Sequence, residues 1–226
     1  MNASSTATPT GTWPMYRAMV GVGLVCGILI VTVFRVTLPV IERNQAEALQ
    51  QAIFQVLPAA RSSETFQAVD GGFRPLGAAA PTGELVYGGY DDSGALIGLA
   101  VEAQGMGYQD IIRVLYGYSF EENAIVGLRV LESKETPGLG DRIETDPAFV
   151  RNFERLDVSL SEDQTTLAHP IHAVKTGEKE HAWQVDGITG ATISSKAIAE
   201  ILDRSGSAWV PRIRRALDQF RKADQP

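Results

Sequence analysis

Ten residues near the C-terminal end, Asp186-Gly187-Ile188-Thr189-Gly190-Ala191-Thr192-Ile193-Ser194-Ser195, combine two glycines, four hydroxyl side chains and one carboxylate just before an apolar-periodic run over residues 193–202. The glycines let the backbone bend or be approached closely, and the periodic run reads as a helix. The first N–H groups of a helix have no partner within it and carry the positive end of its dipole, so a phosphate is a natural ligand there. The same residues also describe a plain turn with Thr192 as N-cap. Two features favour chemistry over that plain reading. The hydroxyls of Thr189, Thr192, Ser194 and Ser195 cluster where a phosphate would lie, and Asp186 sets a carboxylate beside them. A carboxylate is a poor neighbour for a free anion, but it suits a hydroxyl that must itself react, or a metal ion that brings a phosphate close.

A second stretch, Glu135-Thr136-Pro137-Gly138-Leu139-Gly140-Asp141, is a loop by its chemistry: proline fixes one backbone angle and the glycines permit positive φ. Other candidates carry less. His169, His172 and His181 include a His-x-x-His spacing, but Pro170 intervenes and strand-like residues surround them, so solvated strand histidines are the favoured reading over a metal site. The single cysteine, Cys26, lies in an apolar run, which excludes an intramolecular disulfide and a cysteine metal centre. Arg212, Arg214, Arg215, Arg221 and Lys222 form a basic C-terminal face, read as solvated, with lipid headgroups or an acidic partner as the alternative.

These segments need elements to hold them. Residues 18–34 are apolar except for Thr32, and Val36, Thr37 and Leu38 extend the run beyond Arg35. As a helix, residues 18–38 would span about 31 Å, close to the hydrocarbon thickness of a bilayer, with Arg17 and Arg35 able to snorkel. A cleaved signal peptide is the competing reading. The length of the run, the weak n-region charge and the lack of a small-x-small site after Phe34 argue for a retained anchor. Charge bias leaves its orientation open. Of the 226 residues, 1–39 contain Arg17 and Arg35 and no acid; the overall charge of −7 therefore leaves 18 basic against 27 acidic side chains in the rest, a net of −9. That balance argues against a nucleic-acid partner.

Taken in order, residues 1–14 form a disordered tail, 15–39 the anchor, and 40–58 a connecting amphipathic helix that stops at Pro58. Residues 61–81 read as loop with one short strand near Phe66. Alternating runs at 85–90 and 95–103 make one hairpin, 111–118 and 124–132 a second, and 171–175 with 182–185 a third. A short helix is expected over 146–155. The helix from 193 to 202 should break at Ser205-Gly206-Ser207, ahead of a closing amphipathic helix over 209–222. The fold class is α+β: a transmembrane helix, a mainly antiparallel sheet domain over 59–207 with flanking helices, and a C-terminal helix over 208–226.

The decapeptide resembles the flavinylation motif of the FMN-binding domains in the G subunit of the Rnf complex and the C subunit of the Na⁺-translocating NADH:quinone reductase. The resemblance extends to the single N-terminal anchor, the helix ending at Leu57-Pro58, Gly105-Met106-Gly107-Tyr108, and Glu135-Thr136-Pro137-Gly138-Leu139-Gly140. The modest length fits the Rnf protein better. In this family a histidine commonly stands two residues before the glutamate; this chain has Ser133, to which no role is assigned. The resemblance implies that Thr192 is esterified to the phosphate of FMN by a separate flavin transferase using FAD. It implies cofactor-binding roles for Asp186, Gly187, Thr189, Gly190, Ala191 and Ser195, and no metal. It further implies partners among the membrane and redox subunits of a ferredoxin:NAD⁺ oxidoreductase that moves ions, with the domain on the periplasmic side of the inner membrane. The loop residues Thr136, Pro137, Gly138, Leu139 and Gly140 are then candidates to pack against the flavin ring, which carries the redox chemistry; the chain alone turns over nothing. Non-covalent FMN, the corresponding quinone-reductase protein, and a stand-alone flavin reductase are the alternatives. The last lacks a Gly-x-Gly-x-x-Gly after any strand.

Overall fold

In the computed structural model, which describes residues 12–77 and 83–221, the chain divides into two units, 1–47 and 48–226. The first holds most of helix α1 (Trp13–Val56), whose apolar stretch is exposed, and long and apolar enough to cross a membrane by length and composition. The anchor expected over 15–39 and the connecting helix expected over 40–58 are one helix, with Pro39 inside it. Proline costs the helix one hydrogen bond, to the carbonyl of residue 35, but its fixed φ is helical. No glycine lies between Pro39 and Val56, so the helix continues. Of the expected tail, residues 1–11 lie outside the described residues and Trp13 already opens α1.

The second unit is built on a seven-stranded antiparallel sheet, ordered β2-β1-β3-β4-β5-β6-β7. Its strands are β1 (Ser62–Val69), β2 (Gly72–Pro75), β3 (Leu85–Tyr90), β4 (Leu96–Met106), β5 (Ile111–Ser119), β6 (Ala124–Glu132) and β7 (Leu156–Asp157). The last turns of α1 cover one face: Ala52, Ile53, Val56 and Leu57 pack with Tyr87, Ala100 and Leu115. The spacing of those α1 residues is the helical one read from the sequence. The short helices α2 (Arg142–Thr145) and α3 (Pro147–Val150), with a 3-10 turn over Arg151–Phe153, stand where one helix is expected over 146–155. The other face carries the main core, where Tyr90, Tyr116, Ile112 and Val114 meet helix α4 (Thr192–Arg215) through Ile198, Leu202 and Ile213.

Three expectations are corrected. Where loop with one short strand is expected over 61–81, β1 and β2 form a hairpin about Asp70-Gly71, with Gly71 at φ +91°, and residues 78–81 lie outside the described residues. The third hairpin is not one: β8 (His172–Val174) and β9 (Gln184–Asp186) pair in parallel. Between them the chain swings outward, where Trp183 is stacked between His169 and His181. The Ala182 carbonyl accepts the Asp157 amide of edge strand β7, and from there the chain re-enters in the original direction. Third, α4 runs unbroken through Ser205-Gly206-Ser207 and Pro211, so residues 207 and 208 lie inside one helix. An interior glycine costs about 1 kcal/mol, less than the burial of neighbouring Leu202, Trp209 and Val210 returns. The helix ends at Arg215; a 3-10 turn, Leu217–Gln219, brings Phe220 into the core against Phe66 and Phe73. The basic face is largely engaged. Arg212 lies over Phe73 and Trp209, and Arg214 donates to the Phe120 carbonyl; Lys222 lies outside the described residues.

Candidate functional site

The exit from β9 is bound tightly to what surrounds it. The Gly187 amide donates to the Val174 carbonyl at 3.0 Å, and a Cβ on Gly187 would stand 2.8 Å from that oxygen. Gly190 sits at φ +87°, a conformation costly for any other residue. Ser195 then fastens the turn: its Oγ accepts the Ile188 amide at 3.1 Å and donates to the Ala191 carbonyl at 2.9 Å. The N-cap of α4 is Ala191, with no side-chain cap. Thr192 is therefore not the N-cap but the first helical residue. It is exposed, and no side-chain hydrogen bond engages its hydroxyl among the described residues.

Thr192 stands on the ridge between two clefts. One, of about 490 Å³, is lined by Lys175, Thr176, Gly187, Thr189 and Lys196 among others. The other, of about 370 Å³, is lined by Tyr108, Thr136, Leu139, Gly140 and, from the α4 start, Gly190, Ala191 and Ile193. The two stretches singled out in the sequence, 45 or more residues apart, thus share one cleft with Thr192. Pro137 and Gly138 line neither; they form the exposed tip of the loop, with Gly138 at φ +77° and the Leu139 amide donating to the Thr136 carbonyl at 3.1 Å.

The remaining motif residues are tied into the fold by hydrogen bonds of their own. Ser194 and Ser195 are buried at the floor of the two clefts, Ser195 in the larger and Ser194 in the smaller, and the Ser194 Oγ donates to Glu135 Oε2. Asp186 lines neither cleft. Its Oδ1 accepts the Gly177 amide at 2.7 Å, while its backbone N–H and carbonyl are held by the Asn152 side chain at 3.0 Å each. Thr189 Oγ1 meets Thr176 Oγ1 at 3.0 Å, and its carbonyl accepts from Arg142 Nη1. That arginine also holds Asp146, whose carboxyl is kept below the usual carboxylate range by the hydrogen bond. Lys179 Nζ donates to Asn152 Oδ1 at 3.1 Å, and desolvation lowers its pKa against the opposing pull of Asp186.

Glu135, Asn152, Arg142, Lys175 and Lys196 are not legible as site residues in the sequence. Glu135, Arg142 and Asn152 act across long sequence separations, and Lys175 and Lys196 enter only as cleft lining. The histidines separate into a His169–Trp183–His181 ring stack and His172 beside Gln184.

A family model described as FMN-binding domain matches residues 107–205. The chain is 33% identical over 81% of its length to the G subunit of the ion-translocating oxidoreductase complex of Methanosarcina acetivorans, covering 87% of that protein. It is 30% identical over 72% of its length to the protein of the same name from Escherichia coli, of which it covers 74%. Among solved structures, its fold is similar to that of the C subunit of the Na⁺-translocating NADH-quinone reductase from Parabacteroides distasonis, at TM-score 0.57 and 20% identity over 81% of this chain and 96% of that one. The match to the Methanosarcina protein runs through more than four-fifths of each chain, and the FMN-binding match lies across both clefts; the chain belongs to the family of G subunits of the ion-translocating oxidoreductase complexes.

Proposed function

We propose that this chain is the FMN-bearing electron-transfer component of a membrane-bound ion-translocating oxidoreductase of the Rnf type, with FMN linked through its phosphate to Thr192. The observation that carries the reading is the position of Thr192: an exposed hydroxyl at the uncapped start of a 24-residue helix, at the mouth of a cleft walled by Tyr108, Leu139 and Ile193. The free N–H groups and dipole of the helix start suit a phosphodiester, and the apolar walls suit an aromatic ring. When bound, FMN supplies the redox chemistry, while the protein holds it and tunes it. A covalent tether keeps the cofactor on a domain facing a large dilute compartment.

Attachment requires a flavin transferase. The Thr192 Oγ–phosphorus bond forms as the pyrophosphate bond of FAD breaks, AMP leaves, and the hydroxyl proton passes to a base on the transferase. The α1 helix anchors the chain in the inner membrane, the domain faces the periplasm, and the other members of the complex exchange electrons with the flavin. The test is the intact mass of chain co-expressed with a flavin transferase. A single FMN adduct, lost in Thr192→Ala, is the expected result; an unmodified mass, or an adduct that survives Thr192→Ala, overturns the assignment. Flavin that leaves the band on a denaturing gel would instead mark reversible binding.

A further inference from the structure

The cleft below Thr192 is made by three segments distant in sequence. The turn after β4 supplies Tyr108, the 136–140 loop supplies Thr136, Leu139 and Gly140, and the first turn of α4 supplies Thr192 and Ile193. One side chain is bonded to, or packed against, all three. Glu135 is 6% exposed and its carboxylate is divided between them. Oε1 accepts the Gln109 amide at 2.9 Å, in the Tyr108 turn, and Oε2 accepts the Ser194 Oγ, two residues after Thr192. The backbone closes around it so closely that a Cβ on Gly107 would stand 2.5 Å from Oε1, and one on Gly140 2.5 Å from Oε2 and 2.9 Å from Ser194 Oγ. Thr136 Oγ1 adds a bond to Gln109 Oε1 at 3.0 Å, so the loop and the turn are tied twice.

Stability alone does not account for this arrangement well. Burying a carboxylate is costly, and an apolar side chain packed there among apolar neighbours would fill the space without that cost. What the carboxylate supplies is a fixed relation among three backbones that have no strand pairing with one another. We infer that Glu135, acting through Ser194, is the positioning residue of the modification site: it sets the start of α4 against the 136–140 loop and the Tyr108 turn, so that Thr192 Oγ and the cleft walls are presented together. This rests on the proposed attachment of FMN at Thr192 and names the residue pair on which that attachment depends. Glu135 itself touches neither the hydroxyl nor the transferred group.

The experiment follows the initial rate of FMN attachment to the full chain in detergent, with purified flavin transferase and FAD, read by in-gel fluorescence and intact mass. Ser194→Ala removes one atom and Glu135→Gln keeps the shape, so both retain the fold by circular dichroism; if Ser194→Ala melts below the assay temperature, Glu135→Gln carries the test. Each should slow attachment by about tenfold or more, as misplacing a reacting group by a fraction of an ångström does. Because both act through one hydrogen bond, the double variant should be no slower than the slower single one. Val158→Ala, a core truncation at a residue lining neither cleft, should lose stability yet load at the wild-type rate. Wild-type rates in both variants, additive losses in the double variant, or an equal loss in Val158→Ala would overturn the inference while wild-type loading at Thr192 still stands. A wild-type chain that takes up no flavin overturns the inference together with the function it rests on.

Discussion

Asn152 lines neither cleft and carries no charge, yet it holds the backbone of Asp186, the carboxylate-bearing residue of the Asp186–Ser195 stretch. The side chain is 5% exposed and uses both ends: Nδ2 donates to the Phe149 and Asp186 carbonyls, and Oδ1 accepts the Asp186 amide and Lys179 Nζ. The 149–153 turn and β9 are thereby fixed to each other just before the chain enters the Thr192 turn. Asn152→Ala leaves the backbone N–H and carbonyl of Asp186 without partners, each worth about 1–3 kcal/mol when stranded in the interior. The expected loss is about 2–4 kcal/mol, seen as a melting temperature roughly 10 °C lower in a thermal unfolding scan. A melt within a degree or two of wild type would show that water replaces the side chain freely and that Asp186 is held by other means.

The elements differ in how plainly the chain announces them. Strands β3 and β6 begin and end where the sequence places them, because turn residues bound both; β3 is buried on both faces. Strand β1 is obscured: Thr65, Gln67 and Val69 are only half-buried and the hairpin lies at the sheet edge, so its alternation is weak even though Asp70-Gly71 marks the turn. The two motifs are visible because glycine, proline and hydroxyl residues crowd into short stretches. The Glu135–Ser194 bond and the Asn152 clasp are not, since a polar pair closed by tertiary packing leaves no local period. Helix α4 reads as two helices because Gly206 resembles a breaker, and in the fold it is an ordinary interior glycine. The nearest atom to a Cβ there is Leu167 Cδ1 at 3.5 Å, an ordinary contact, so Gly206→Ala should raise stability by about 0.5–1 kcal/mol in a denaturant melt. Gly127 predicts the opposite sign. A Cβ on it would stand 2.6 Å from the Val56 carbonyl oxygen, backbone that cannot rotate away, so Gly127→Ala should lift the last turn of α1 and cost about 2 kcal/mol. Equal effects of the two substitutions would mean that α1 does not seat on the sheet through these glycines.

At the scale of the whole molecule, one continuous helix serves two environments, and the boundary between them lies within it. Up to Glu47, α1 belongs to the unit whose apolar surface needs a membrane; from Ala48 it belongs to the domain. Ala52, Ile53, Val56 and Leu57 are each 4% exposed or less and cover Tyr87, Ala100 and Leu115 on the sheet. The anchor should therefore be removable while the cover is not. A chain starting at residue 48 should be monodisperse without detergent and melt within about 3 °C of the domain in the full chain, since no core side chain is lost. A chain starting at residue 61 loses the whole cover. With about 1.5–3 kcal/mol for each large apolar side chain buried, losing Ile53, Val56 and Leu57 alone removes roughly 5–9 kcal/mol from a total of about 5–15 kcal/mol. It also bares an apolar sheet face, which favours aggregation. Size-exclusion chromatography and thermal melts of the two truncations make the comparison. A folded, monodisperse chain from residue 61 would place the end of α1 outside the domain's core and assign residues 48–60 to the anchor.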